Sequence, residues 1–327
     1  MLLDGFDPLA IARAAEALAE GNLVALPTET VYGLGARADD DAAVAKIFAA
    51  KGRPADHPLI VHVADAAAAQ HFAGQVSPLA ARLMAGFWPG PLSVIVARTE
   101  GVATAAAGGQ ATVALRCPSH PVALALLRAA AQRGVLGVAA PSANRFGRVS
   151  PTTAAHVRAE FGPDLLILDG AACRVGIEST IVDCSRDHPV LLRPGVLTQA
   201  QIEAVAGEPL RERDAAAPRA SGTLQAHYAP RASVRLMGWL ELNAALQKRP
   251  ADAPRLAVYS RGLPRWLGQN TLHRHMPIDA AHAAQELFST LRNFDDEGAQ
   301  AIWVEVPPFA AEWDGVRDRL QRASAAG

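Results

Sequence analysis

Short apolar runs rich in β-branched residues recur between Leu23 and Gly195: "LVALP", "LIVHV", "LSVIVA", "TVALR", "VLGVAAP", "LLILDG", "STIVD" and "VLLRPG". Their length and their flanking turn residues read as strands buried on one or both faces. Helix starts fall between them at Asp7-Pro8, Ser119-His120-Pro121 and Ser150-Pro151, where Ser or Asp can cap and Pro sits in the first turn. The pattern predicts a mixed α/β domain over residues 1–205. It lapses over residues 206–230, "AGEPLRERDAAAPRASGTLQAHYAP", which carries neither helical nor strand periodicity and reads as a long linker. Beyond it, "SVRLMG", "RLAVYS" and "AIWVEVP" alternate with the amphipathic stretches "AAHAAQELFSTLRNFDDEG" and "WDGVRDRLQRAS". That alternation predicts a small Rossmann-like α/β domain with a mostly parallel sheet over residues 231–327.

Composition narrows the partners. With 327 residues, 50% apolar and 19% charged, and a formal net charge of -1, the chain lacks a protein-wide basic field, so any anion site has to be local. The start "MLLDGFDPLA" has no basic segment and no sustained apolar run, and stretches such as "FWPGPLSVIVA" are broken by Pro and Gly. Neither a signal peptide nor a membrane span is expected, which suits a cytoplasmic protein. Cys117, Cys173 and Cys184 show no C-x-x-C spacing and read as small buried hydrophobes. His273 and His275 form the only tight histidine pair, and no H-E-x-x-H motif occurs, so a structural transition metal is not expected.

The chemistry concentrates in loops at strand ends. "LPTETVYGLG" places Thr28, Glu29, Thr30 and Tyr32 between a strand and a pair of glycines, where loops carry ligand contacts more often than stability. The following "GLGARA" fits G-x-G-x-x-A, but "PTETVY" separates it from the strand and the acidic residue expected about 20 positions on has no strand end to sit on. No G-x-x-x-x-G-K-[ST] is present. In "AKGRPADHPLIVHV", Lys51 and Arg53 flank a turn after a helix, and a strand carrying His62 follows. The two cations could complement a helix C-terminus. They could equally neutralise phosphate, a reading favoured by the rarity of lysine, which occurs only at 46, 51 and 248 among 31 basic residues. "VAAPSANRFGRVSPTT" sets Ser142 and Asn144 after a strand and Ser150 as a helix cap, either an anion cradle or an ordinary turn. "GIESTIVD", "LLRPG" and "VALRCPSHP" add Glu178, Ser179, Thr180, Arg193 and Arg116 around strands. A cation at a strand mouth without an acidic neighbour in sequence, such as Arg116, calls for an external carboxylate or phosphate.

Taken in order, "PTETVYGLG", "KGRPADHPLIVHV", "WPGPLSVIV", "APSAN", "GIESTIVD", "LLRPG" and "HYAP" resemble the threonylcarbamoyl-AMP synthases, in the branch with a YrdC-like catalytic domain and a C-terminal extension. The resemblance is specific up to Pro230, while residues 231–327 share only a general α/β character. It implies a nucleotidyltransferase that converts L-threonine, bicarbonate and ATP into L-threonylcarbamoyl-AMP and pyrophosphate, with Mg²⁺ accompanying the ATP. The product would pass to a tRNA threonylcarbamoyl transferase complex. Carried over by position, the resemblance puts Lys51, Arg53, Ser142 and Asn144 on the nucleotide phosphates. Thr28, His62, Arg116, Ala140 and Ser179 fall around threonine, and Ala55, Thr112, Ser150, Arg193 and Tyr228 on the nucleotide side. The "PTETVYGLG" loop would wall the threonine pocket, its glycines permitting close backbone approach. The linker departs from the family in one respect, reading "SGTLQAHYAP" where a Pro-Gly-Met precedes the "HYAP".

Two other readings stay open at this level. An RNA-binding protein could use Arg145, Arg148, Arg158 and Arg174 as phosphate contacts. A related carbamoyl-adenylate enzyme could serve another acceptor.

Overall fold

Asp7 opens the first helix in extended conformation, its carboxylate accepting from Leu9 N–H while Pro8 occupies the first turn. The structure is a computed structural model describing residues 1–326, and it divides into two compact units. The first comprises Met1–Phe146 and Ser150–Thr223, the second Gly147–Val149 and Leu224–Gly327. In the first unit the order is β1 (Leu2–Asp4), α1 (Pro8–Ala19), β2 (Val24–Leu26), β3 (Gly33–Arg37), α2 (Asp41–Lys51), β4 (Ile60–His62), α3 (Ala66–Phe72), β5 (Ala73–Gln75) and α4 (Pro78–Phe87). It continues with β6 (Leu92–Arg98), β7 (Thr112–Arg116), α5 (Pro121–Ala131), β8 (Val138–Ala139), α6 (Ala154–Phe161), β9 (Leu166–Asp169), β10 (Thr180–Asp183), β11 (Val190–Arg193) and α7 (Gln199–Ala206).

The strands form one mixed sheet in the order β1-β9-β2-β3-β8-β4-β7-β6-β10-β11, with β5 added beside β6. Side chains alternate across a strand, and the two halves of this sheet use that alternation differently. In the first half, Val24 and Leu26 join the α1 and α5 side chains Ile11, Leu18, Val122 and Leu126, whereas Ala25 faces the other cluster with Val44 and Ile47 of α2. Helices therefore cover both faces there. In the second half, Val61, Val94, Leu115 and Val182 face the helical cluster, while Ile60, Ile95, Ala114 and Ile181 face a small cluster covered by Ala217 and Ala220 of the linker. One face of β4-β7-β6-β10-β11 is thus roofed by irregular chain instead of a helix.

Several expectations need correction. The glycine pair lies inside strand β3, and neither glycine has positive φ. A Cβ on Gly35 would meet Val138 Cγ1 at 2.8 Å, Leu26 Cδ2 at 2.9 Å and Val24 O at 3.1 Å, so the close approach there is to the neighbouring strands β8 and β2. Ser150 is not a helix cap: α6 starts at Ala154 and Thr153 caps it, accepting from His156 N–H. For α5 the cap is His120, not Ser119. All three cysteines are free and buried, as their spacing suggested.

The second unit carries β12 (Ser233–Met237), α8 (Trp239–Gln247), β13 (Leu256–Ser260), β14 (Thr271–His275), α9 (Ala280–Asp296), β15 (Ala301–Glu305), a short 3-10 turn (Ala311–Trp313) and α10 (Asp314–Ser324). Its sheet is parallel throughout, in the order β12-β15-β13-β14. The core stripe of α9, including Ala284, Leu287, Phe288 and Leu291, follows the helical period seen in sequence. Tyr228 belongs to this unit, with φ 61° and its ring packed against His227, Phe288 and the Arg319 guanidinium. No helix among the described residues is long and apolar enough to cross a membrane.

The packing at Gly35 gives a direct test. Gly35→Ala is expected to destabilise the protein by about 1–3 kcal/mol, the usual cost of forcing an extra carbon into a packed interior. Urea unfolding of the two proteins, compared at equal m-value, measures it.

Candidate active site

The irregularly roofed face of the second half-sheet carries several of the polar side chains singled out in sequence. Alternation from Ile60 brings His62 to this face, and alternation from Ala114 brings both Thr112 and Arg116. His62 and Arg116 are register partners across β4 and β7. Ser93 on β6 and Ser179 before β10 join them, their hydroxyls 2.8 Å apart.

Arg116 is buried and held on three sides. Its Nε donates to Gly90 O at 3.2 Å and its Nη1 to Thr30 Oγ1 at 2.8 Å, while Nη2 stands 2.7 Å from Glu29 Oε1. The Nη2 contact is close enough for charge pairing, but its angle leaves Nη2 without a hydrogen-bond acceptor. Arg116 therefore has an internal carboxylate, contrary to the expectation that it lacked one. Glu29 also accepts from Ser119 N–H at 3.1 Å. Burial alone would push its carboxyl up, yet the Arg116 charge and the hydrogen bonds together hold it below the ordinary 4.5. Beside the pair, burial first and the Arg116 charge second bring His62 down to about 3, so the ring is neutral at physiological pH. Its Nδ1 is buried without a partner, as is Thr180 Oγ1.

The "PTETVY" loop is built to meet this group. Thr28 Oγ1 donates to Val31 O at 2.6 Å, accepts from Val31 N–H, and lies 2.9 Å from Thr30 Oγ1. Tyr32 pins the loop from outside, donating to Ala171 O at 2.8 Å and accepting from Gly170 N–H at 3.1 Å. Across the loop, Ala143 N–H donates to Tyr32 O and Leu34 N–H to Pro141 O. The Thr28 and Ser142 segments are thereby joined through backbone, and buried Ala140 sits at the head of the second.

Lys51 and Arg53 are both buried, at 3% and 8% exposure. Lys51 ends α2 just before the left-handed Gly52 cap. Its Nζ turns away from the helix's own carbonyls and donates to Ser142 O at 2.5 Å and to Asn144 O, while its backbone oxygen accepts from Phe146 N–H. The free carbonyl of Ala50 is taken by Arg145 instead. The helix-end reading thus fits Arg145, and Lys51 organises the Ser142–Asn144 loop. Burial, then the neighbouring Arg53 charge, hold the Lys51 ammonium well below its usual range. Arg53 Nη2 donates to Pro58 O at 3.0 Å and reaches Ser221 Oγ at 3.4 Å. Arg193 donates to Ser221 O at 2.9 Å, to Ser179 O at 2.8 Å and to Ser179 Oγ at 3.2 Å. Linker residue Ser221 therefore bridges two buried guanidinium groups. Ser150 donates to the buried carboxylate of Glu178, next in sequence to Ser179.

Ala55 lies in an exposed turn after Arg53, and Tyr228 lies in the second unit, its ring held as described. Sequence reading passed over Ser93, a lone hydroxyl in an apolar strand, and Ser221.

The geometry can be set beside known proteins. A family model described as "Telomere recombination" matches residues 16–195, and one described as "Threonylcarbamoyl-AMP synthase, C-terminal domain" matches residues 197–325. The threonylcarbamoyl-AMP synthase of Pyrococcus abyssi is 37% identical over 323 residues, covering 95% of this chain and 93% of that protein. The chain belongs to the threonylcarbamoyl-AMP synthase family. The Bacillus subtilis threonylcarbamoyl-AMP synthase is 38% identical over 332 residues, covering 96% of this chain and 92% of its own. A crystal structure of P. abyssi Sua5 complexed with L-threonine superposes with a TM-score of 0.90 at 35% identity, over 100% of this chain and 98% of that one. Membership in the threonylcarbamoyl-AMP synthase family makes the protein a transferase-type enzyme, and the mixed sheet followed by a parallel one is the fold of its solved relative.

The Glu29–Arg116 pair sets a measurable term in stability. Glu29→Gln keeps the shape but leaves the guanidinium unpaired, and is expected to cost about 3–5 kcal/mol at neutral pH. Because the folded carboxyl titrates below its unfolded value, the pair's contribution is complete above pH 4.5 and is lost as pH falls through the lower folded value. Urea midpoints measured from neutral to acid pH should therefore converge for the two proteins at the acid end.

Proposed function

We propose that the protein makes L-threonylcarbamoyl-AMP from L-threonine, bicarbonate and ATP, releasing pyrophosphate and supplying tRNA threonylcarbamoylation. The observation that carries this reading is the adjacency of two kinds of site on one framework. A hydroxyl-lined group around Arg116 suits an amino acid, and a set of buried cations around Ser142–Asn144 and Ser221 suits a triphosphate.

In this reading the threonine carboxylate takes the N–H of Arg116 Nη2, with Thr28, His62, Ala140 and Ser179 around the rest of the substrate. Lys51, Arg53, Ser142 and Asn144 meet the phosphates, and Ala55, Thr112, Ser150 and Arg193 lie on the nucleotide side. Lys51 has three ammonium donors, of which two are spent on carbonyls, so one is left for a phosphate oxygen. An arriving polyphosphate would also draw its depressed ammonium back toward the charged form. Bicarbonate gives carbon dioxide with loss of water, the threonine amine adds to it and gives up a proton to form a carbamate, a carbamate oxygen attacks the α-phosphorus, and the bond to pyrophosphate breaks. No side-chain nucleophile is required; positioning and charge neutralisation lower the barrier. Mg²⁺ would arrive on the ATP phosphates and add to that neutralisation, with no protein side chain required to ligate it. Family membership favours this enzyme over an RNA-binding protein, and of the arginines weighed for RNA, Arg145 is committed to the α2 terminus.

Mass spectrometry of the adenylate product, with threonine, bicarbonate and ATP omitted in turn, tests the reaction. Only the complete mixture is expected to yield threonylcarbamoyl-AMP, and an adenylate formed without threonine would assign another acceptor. In the same assay Arg53→Ala is expected to lower pyrophosphate release by roughly a hundredfold or more, the usual scale for a lost transition-state charge contact.

The linker reads as a lid on this site. Ala217 and Ala220 roof the sheet, Arg219 pairs with Asp56 at 2.9 Å, and Ser221 meets Arg53 and Arg193. Trypsin cleavage between Arg211 and Arg231 is expected to slow when ATP and threonine are both present, and cleavage indifferent to both would remove the lid.

A further inference from the structure

Away from this site, the first unit holds a cavity of about 450 Å³ whose walls include Ala64, Val76, Met84, Trp88 and Cys117. That volume falls within the roughly 300–1,000 Å³ of ordinary small-molecule sites. Ala64, Met84 and Cys117 are buried, and the Cys117 thiol, pushed up to about 11 chiefly by burial, is a neutral and unreactive part of the wall. The cavity's charged residues are both exposed and opposite in sign: Asp65 and Arg128. Asp65 spends Oδ1 on capping α3 through Ala68 N–H at 2.8 Å, which leaves Oδ2 for another donor. The Arg128 guanidinium has no hydrogen bond or ion pair among the described residues. Both charges act on the Cys117 thiol, Asp65 raising and Arg128 lowering its proton affinity, which places them about the same apolar space.

A carboxylic acid in this space would set a like charge against Asp65, and an amine would set one against Arg128. A ligand carrying both charges and an apolar body satisfies the two residues and the walls together. We propose that this cavity binds an α-amino acid with an apolar side chain, its ammonium on Asp65, its carboxylate on Arg128 and its side chain against Met84 and Trp88.

The cavity is tied to the threonine group through backbone. Cys117 follows Arg116, Cys117 O accepts from Gly90 N–H at 2.8 Å, Arg116 donates to Gly90 O, and Pro89 lines the cavity. An occupant pressing on this wall bears on the orientation of Arg116, so the KM for threonine is expected to shift when the cavity fills.

Isothermal titration of the full chain with L-leucine and L-phenylalanine, at saturating L-threonine, tests the proposal without turnover, so its outcome is separate from that of the synthase assay. Saturable binding of at least one of them at millimolar concentration or below is expected, with isocaproate and isoamylamine binding more weakly than leucine. Arg128→Gln and Asp65→Asn, the latter keeping the α3 cap, should each weaken binding about tenfold or more. Ala81→Trp, which fills the cavity, should abolish it. Thermal melts of the variants establish that they fold. The proposal fails if neither amino acid binds, if threonine displaces the bound one, or if binding ignores both charge substitutions.

Discussion

The Lys51 ammonium is out of water and faces carbonyl oxygens where a carboxylate would be the usual partner. A buried cation is tolerated only where oxygen atoms replace its hydration shell, so the Ser142–Asn144 loop has to curl around it. That loop then fixes the next one. Its backbone meets Tyr32 and Leu34, which sets the path of Thr28–Thr30, and Thr30 and Glu29 in turn hold Arg116. The Lys51 and Arg116 groups are consequently two ends of one hydrogen-bonded chain. A charge placed at the end of α2 positions a guanidinium on β7.

The same constraint shapes how the other buried cations here are met. Arg53 and Arg193 donate to carbonyl and hydroxyl groups of Pro58, Ser179 and Ser221. Arg116 is treated differently, with Glu29 close by, and so presents donors with little net field. An amino acid, itself a zwitterion, asks for that.

Much of this was legible in the sequence. The apolar runs became β2, β4, β6, β7, β8, β9, β10 and β11 because their β-branched density is intrinsic to the strand state. Strand β3 was hidden because "GLGAR" contains two glycines, which weaken a strand on their own and are present here so that β2 and β8 can approach. Strand β14 was hidden by its polar "TLHRH". The motif loops were found from composition and resemblance, but the partner of Arg116 was not, since Glu29 lies far away in sequence and only the fold joins them. Ser150 illustrates the opposite error: Ser-Pro suggested a cap, whereas tertiary contact with Glu178 claimed the hydroxyl.

The composition of the second unit bears on how the chain is made. Gly147–Val149 counts with residues 224 onward: Gly147 O accepts from Ala229 N–H, and Val149 O from Arg292. These residues follow the Ser142–Asn144 loop after Arg145 and Phe146, and leave the ribosome well before their partners. Since domains generally fold from the N-terminal side during synthesis, the nascent first domain would carry three residues whose contacts do not yet exist. A nascent chain that stalls before Arg292 emerges would hold an otherwise folded sheet with this segment unmet, so Gly147–Val149 find their partners only near the end of translation.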